Sequence, residues 1–258
     1  MTSICILASG SKGNAIYVSN DKTAILLDAG LSGIEIERRL HSRGINADSL
    51  DAIVVSHEHT DHIHGVGVLS RRFRLPVYIN EPTLAASGDQ LGPIHETRRF
   101  HRGIAFCIGS LSLHPFTVSH DAAEPVGFTI QDGGAKIGIS TDLGVATQLV
   151  RHHLMGCTMV VLEANHDLKM LEEGPYPWEV KQRIRSRHGH LSNEASRDLL
   201  GEISHSALRH VVLAHISETN NHPEKVMSVI AESAPDHLTS LTVASQHTPG
   251  DVITLEGS

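Results

Sequence analysis

The sequence predicts an α/β protein built as a layered sandwich, two sheet-rich halves flanked by helices. Three observations lead there. Short runs of Val, Ile, Leu and Ala alternate with helical patterns along the chain. Aromatic residues are only 3% of the composition, so the core must be aliphatic. Six of the apolar runs stop on a His, Asp or Glu, the mark of an α/β sheet with a site at its strand ends. At 258 residues, with no low-complexity stretch or linker, residues 1–258 are read as a single domain.

Strands are expected at Ile4–Leu7, Ala15–Val18, Ala24–Leu27, Ala52–Val55, Val77–Ile79, Ile104–Ile108 and Leu111–Val118. Further strands are expected at Gly127–Ile130, Lys136–Ile139, Met159–Leu162, Val211–Ala214 and Leu241–Val243. Asp132-Gly133-Gly134 reads as a tight hairpin turn. Ser32 and Glu35 suggest a capping box, with Ile36 and Leu40 on one face and Gly44 as the stop. A second helix should begin at Ser192, and a third at Pro223 with Val226 and Ile230 facing inward. Glu173–Pro177 reads as a loop or kink.

The strand ends carry the chemistry. Ala24–Leu27 ends on Asp28, and Ile53–Val55 leads to Ser56, His57, His59, Asp61 and His62. Phe116–Val118 leads to Ser119 and His120, and Ile137–Ile139 to Ser140, Thr141 and Asp142. Val160–Leu162 ends on Glu163, and Val211–Ala214 on His215. One such residue would be an ordinary surface group, but six at equivalent positions point to convergence. Residues two apart in extended backbone point the same way, so His57 and His59 can grip one ion. Asp61 and His62, after a bend, can turn toward a second. Imidazole and carboxylate donors suit zinc, and also manganese or iron. A pair of metals needs an anionic bridge, which Asp142 can supply.

The other bulk features narrow the function classes. The net charge of -8 argues against bulk electrostatic coating of nucleic acid, although bound cations would offset part of it. Cys5, Cys107 and Cys157 lack metal-type spacing and read as free thiols of a reducing compartment. With no signal peptide pattern and no span-length apolar window, a cytoplasmic protein without a membrane partner is expected.

HEHTDH at 57–62 is the H-x-H-x-D-H signature of the metallo-β-lactamase superfamily, and Asp28, His120, Asp142 and His215 stand around it in that family's order. The stretches LASGSKGNAIYV, LEANHD, RHGHLSNEAS, LAHISETNN and VASQHTPG extend the likeness over nearly the whole chain. They resemble the YycJ (WalJ) branch, related to tRNase Z and the β-CASP nucleases. The resemblance implies the αββα sandwich of two mixed β-sheets flanked by helices. It also implies two divalent metal ions, with zinc expected first. His57, His59 and His120 would hold the first ion, Asp61, His62 and His215 the second, and Asp142 would bridge. Asp28 and His166 would support the ligands from behind. His190 would contact the scissile phosphate or donate a proton, steadied by Glu163; with Asp61, these are the expected catalytic residues. His59, where flavodiiron oxygen reductases carry a carboxylate, tilts the reading toward hydrolysis.

The leading expectation is a dinuclear metal-dependent phosphodiesterase or nuclease, exonuclease-like, acting on DNA or RNA with DNA favoured. The alternatives are a hydrolase of a cyclic phosphodiester, thioester or lactone, and a non-catalytic metal-binding module that docks on nucleic acid. The loop Ser9–Asn14 can be read as an anion cradle, with Ser11 and Asn14 as phosphate contacts, or equally as a plain turn. Arg71, Arg72 and Arg74 form one basic group and Arg98, Arg99 and Arg102 another; both are expected to be solvated. Lys181, Arg183, Arg185 and Arg187 lead straight to His190, so a backbone-phosphate track, including Arg187, is expected there. Trp178 and Tyr176 are the only nearby aromatics, and no sequence-specific reading is expected. His41, His64, His95, His152, His153, His205 and His237 are assigned no role, and His188 reads as a solvated loop residue.

Overall fold

Side chains that alternate along each strand sort into an inner and an outer set, and this alternation stacks the molecule in four layers. The computed structural model describes residues 1–255 and contains two seven-stranded mixed sheets. In chain order the first sheet contributes β1 (Thr2–Ala8), β2 (Ala15–Ser19), β3 (Ala24–Leu27), β4 (Ala52–Val54), β5 (Pro76–Ile79) and β6 (Glu96–Arg99). The second contributes β7 (Phe106–Ile108), β8 (Leu111–Thr117), β9 (Val126–Asp132), β10 (Ala135–Ser140), β11 (Met159–Glu163), β12 (His210–Ala214) and β13 (Ser240–Val243). The last strand, β14 (Ile253–Leu255), returns to the first sheet beside β1. The strand orders are β14-β1-β2-β3-β4-β5-β6 and β13-β12-β11-β10-β9-β8-β7.

The inner faces meet. Ile4, Val18, Ile25 and Val54 from the first sheet share one cluster with Leu113, Phe128, Ile137, Val161 and Val212 from the second. Residues one position along turn outward. Ile53 and Val55 pack with Ile36 and Leu40 of α1 (Gly33–Ser42), beyond α2 (Thr60–Ile63), and with Leu69 of α3 (Val66–Phe73). A short α4 (Glu81–Ser87) follows β5. On the other side Val160, Leu162 and Leu213 pack against Val150 and Leu154 of α5 (Gln148–Leu154). Beyond α6 (Leu168–Glu173) and α7 (Trp178–Arg185), the same cluster takes Leu199 and Leu200 of α8 (Asn193–Ile203) and Val226 and Ile230 of α9 (Pro223–Ala231).

All twelve expected strands are present, with ends moved by a residue or two. β6 and β14 went unread. Glu96-Thr97-Arg98-Arg99 is exposed throughout and has no apolar signal, because it is an edge strand defined by pairing with β5. The hairpin at 132–134 joins β9 to β10, with Gly133 at φ 57°. Ser32 caps α1 by accepting from the Glu35 amide, but Glu35 does not return the bond; its carboxylate takes Arg38 and Arg39 instead. Ser192 caps α8, and Pro223 opens α9.

Strand direction positions the site. β3, β4 and β5 are parallel, as are β10, β11 and β12. β8 is antiparallel to β9, which is antiparallel to β10, so β8 runs the same way as β10. The carboxyl ends of β3 and β4 open one way in the first sheet and those of β8, β10, β11 and β12 one way in the second, and contacts of His62 with Asp142 and of His59 with His120 bring these ends to one edge. No helix among the described residues is long and apolar enough to cross a membrane.

Candidate metal centre

Asp28, His57, His62, His120, Asp142, Glu163 and His215 are all buried at that edge. The described residues hold four non-glycine positions with φ in the left-handed region: Asp28 (58°), Arg74 (57°), Asp142 (55°) and His215 (56°). Three of the four follow directly on, or close after, a strand; Asp142 and His215 aim a ligand atom into the centre, and Asp28 holds His62 from behind. Each such conformation costs about 1–2 kcal/mol, so the surrounding fold has to hold them there.

His57 Nε2 and His120 Nε2 each lie 3.2 Å from His59 Nδ1. Nitrogens around one tetrahedral zinc at 2.0–2.1 Å are about 3.4 Å apart, so this is the spacing of a three-nitrogen cradle. On the other side His62 Nε2 and His215 Nε2 lie 3.7 and 3.8 Å from Asp61 Oδ2. Asp142 stands between: Oδ2 is 3.2 Å from His62 Nε2, and Oδ1 is 3.5 Å from His215 Nε2 and 3.8 Å from His120 Nε2. His57, His59 and His120 thus form one ligand cluster, and Asp61, His62 and His215 a second. Asp142 Oδ2 and His215 Nε2 are buried with no hydrogen-bond partner. Buried polar atoms are ordinarily satisfied, so unpartnered donors that converge like this fit a cation.

The far side of each ring is held. His57 Nδ1 meets Ser56 Oγ (3.0 Å), His62 Nδ1 meets Asp28 Oδ2 (2.8 Å), His120 Nδ1 meets the Gly189 carbonyl (3.2 Å) and His215 Nδ1 meets Glu163 Oε1 (2.9 Å). An Nδ1–H donated to these acceptors leaves Nε2 free toward the centre. Backbone bonds lock the pieces: Asp28 donates to the Val54 carbonyl (2.8 Å), Ala29 to His62 (2.8 Å) and Asn14 to Asp61 (2.7 Å). The chains approach so closely that a Cβ on Gly30 would sit 1.6 Å from the Asp61 carbonyl oxygen.

Burial alone would push the imidazoles of His62 and His215 down, but Asp142, with Asp28 in one case and Asp61 and Glu163 in the other, holds both well above the ordinary histidine range. Burial would raise Asp142, yet His215 and His62 hold it well below the usual carboxylate range. His57 is pushed well down by burial and then by His62.

His190 lies beside both clusters. Its Nδ1 is 2.7 Å from Glu163 Oε1 and 4.0 Å from Asp142 Oδ1, and its ring is 5.2 Å from His120 and 5.0 Å from His215. Glu163 is fully buried and bridges His190 to His215. His166 is buried but bonds none of the cluster; its Nδ1 has no partner, and burial pushes it down to about 4. Asn14 is brought into the centre, its amide 3.2 Å from Asp61 Oδ2 and 3.0 Å from His62 Nε2. Ser11 and Arg187 are exposed.

The amides of the Ser9–Asn14 loop are turned inward. Gly10 donates to Asn14 Oδ1, Lys12 to Gln246 Oε1, and Ser9, Gly13 and Asn14 to backbone carbonyls. Only Ser11 keeps an unpaired amide among the described residues, which makes the loop a brace. Arg72, Arg98, Arg99 and Arg102 are ion-paired at the surface, and Arg183 pairs with Asp121, whereas Arg185 and Arg187 have no ion pair among the described residues. Sequence reasoning assigned no role to Ser56, Ser9 and Asn165. Ser56 directly precedes HEHTDH, a placement that could have signalled it; Ser9 Oγ accepts from the His215 amide and Asn165 donates to the His215 carbonyl.

Two cradles of histidine and carboxylate at the shared edge of an αββα sandwich define a metal-dependent hydrolase of the metallo-β-lactamase fold. The chain matches the beta-lactamase superfamily domain over residues 23–216 and belongs to that superfamily. Within it the chain belongs with exodeoxyribonuclease YycJ of Bacillus anthracis, at 39% identity over 85% of this chain and 84% of that protein. Exodeoxyribonuclease WalJ of Streptococcus pneumoniae is 37% identical over 84% of this chain and 82% of its own length. Among solved structures, the metallo-beta-lactamase fold protein YhfI from Bacillus subtilis superposes with a TM-score of 0.75 at 15% identity, covering 97% of this chain and all of that one (100%).

Proposed function

We propose that the protein is a dinuclear metal-dependent phosphodiesterase that degrades nucleic acid, DNA by preference, from an end. The observation that carries the substrate class is the 37–39% identity, over more than four fifths of the chain, to proteins named exodeoxyribonucleases. The geometry supports the chemistry. His57, His59 and His120 would hold one cation, and Asp61, His62 and His215 the other, with Asp142 reaching both. Such a pair activates water and neutralises charge on the phosphoryl oxygens. Zinc fits the nitrogen-rich first cradle, and manganese or iron fits the same donors. Asp28 and Ser56 orient the rings. His190 would donate a proton to the leaving alkoxide, with Glu163 fixing its Nδ1–H and so aiming Nε2. Arg185 and Arg187, free of acidic partners among the described residues, are placed along the chain just before His190 to take backbone phosphates. This reading goes with a single domain over residues 1–258 and with a cytoplasmic location.

The test is incubation of purified protein with Mn²⁺ or Zn²⁺ and end-labelled single- and double-stranded DNA and RNA, with Asp61→Ala as control. Cleavage of DNA that is lost in the control is the expected result. Turnover confined to a small thioester or lactone would replace this reading with a small-molecule hydrolase, and nucleic-acid binding without turnover would make the protein a docking module.

A further inference from the structure

A cavity of about 390 Å³ opens beside the first cradle. Its wall includes His120 and Val118 from the end of β8, Pro125, Thr147 and Leu149 from the start of α5, and His188. Of the proposed ligands only His120 lines it, so the cavity meets the first cradle at that residue. None of its lining residues is Lys, Arg, Asp or Glu, so it offers no countercharge to a phosphate. It offers apolar walls, hydroxyls and an imidazole ring, the surroundings of a flat, neutral, hydrogen-bonding group. Leu149 remains 45% exposed although its helix neighbours Val150 and Leu154 are buried. The His188 ring has no hydrogen bond or ion pair among the described residues. The walls are braced: Gly144 donates to the Ser119 carbonyl (2.8 Å), and Ser119 Oγ donates to the Arg187 carbonyl (2.6 Å), just before His188. The volume lies at the low end of small-ligand pockets, the size of a single nucleotide unit.

We infer that this cavity seats the base and sugar of the nucleotide flanking the scissile phosphate. The inference rests on the phosphodiesterase reading and adds a recognition subsite to it. Leu149 packs on the base and His188 supplies a ring to stack on it, a sequence-tolerant mode of holding nucleic acid. The phosphate would lie toward the residues that would hold the cations, and the uncharged base and sugar would fill the cavity, which no carboxylate, lysine or arginine lines.

The experiment compares, with Mn²⁺, an intact oligodeoxynucleotide and two that are abasic at the terminal or the penultimate nucleotide. In the wild-type protein one of the abasic substrates should show KM raised about tenfold with kcat within about twofold. In the Leu149→Ala/His188→Ala double variant, whose two positions are exposed, intact and abasic substrates should converge. Equal KM values for intact and both abasic substrates in the wild type would overturn the subsite while leaving the phosphodiesterase reading standing. So would discrimination that persists unchanged in the double variant. Failure of the wild type to cleave the intact oligonucleotide would overturn the phosphodiesterase reading and the subsite with it.

Discussion

The hydroxyl of Ser56 lies 2.7 Å from Asp28 Oδ2, 3.0 Å from His57 Nδ1 and 3.2 Å from His62 Nδ1. It donates to the carboxylate and accepts from imidazole, so one small side chain orients a ring in each cradle. Asp28 completes the arrangement by accepting from His62 and from the Ser56 amide. Asp28→Asn keeps a residue that tolerates the left-handed backbone but removes the charge. It is expected to lower metal affinity by about 10- to 100-fold, read by competition with a chromogenic chelator. His190→Ala addresses the other role. Metal content should stay at the wild-type level while turnover falls by about 10²- to 10⁴-fold. Loss of metal instead would make His190 a ligand, an arrangement its place near Asp142 and His215 also permits.

At the scale of elements, the centre depends on segments that carry no ligand. The stretch after β13 straps the β1–β2 loop: Gln246 accepts from the Lys12 amide (2.7 Å) and donates to the Gly13 carbonyl (3.0 Å), while Arg39 of α1 holds the Gln246 carbonyl (3.0 Å). That loop in turn presses Asn14 onto Asp61 and His62. Gln246→Ala should destabilise the protein by about 1–3 kcal/mol in urea unfolding, the cost of unpartnered buried polar groups, and weaken metal binding as well. A second brace lies beneath His190. A Cβ on Gly144 would fall 2.3 Å from the Arg187 carbonyl oxygen and 2.7 Å from the Gly189 amide. Gly144→Ala is therefore expected to shift the loop before His190 and lower turnover more than metal content.

The whole molecule registers pH in two ways. His62 and His215 are held protonated well above the ordinary range by their carboxylate neighbours, and a cation must displace those protons. Apparent metal affinity should therefore rise steeply as pH rises; a flat profile in a competition titration would contradict the assignment of these ligands. Bound metal should in turn stabilise the fold, by about 4 kcal/mol at a thousandfold excess over Kd, so chelation should lower Tm by roughly 10 °C. His166 acts in the opposite sense. Burial pushes it down to about 4, whereas an unfolded histidine titrates near about 6.5. As pH falls through that window the unfolded chain takes up a proton that the folded protein refuses. Stability is full above the window and declines through it by up to about 3 kcal/mol. His166→Gln should flatten the loss, seen as a smaller change in urea midpoint between neutral pH and pH near 5.

What could be read from the chain was whatever repeats locally. Runs of aliphatics located twelve of the fourteen strands, the edge strands β7 and β13 among them, and polar residues after six of them named Asp28, His57, His120, Asp142, Glu163 and His215 as a set. These signals survive in one dimension because burial on two faces forces a run of Val, Ile and Leu, and a strand end is marked wherever that run stops. The edge strand Glu96–Arg99 and the bare helix Trp178–Arg185 bury nothing and so left no mark. Ser56 and Gln246 are likewise ordinary polar residues in sequence, and Asn14 reads there only as a phosphate contact; their importance lies in partners up to 234 positions away. Only the packed molecule decides that Asp142 faces both cradles, that Asn14 turns inward, and that a neutral cavity adjoins His120. The physical reason is that such contacts depend on the relative placement of two sheets, which shared burial sets and no local pattern encodes.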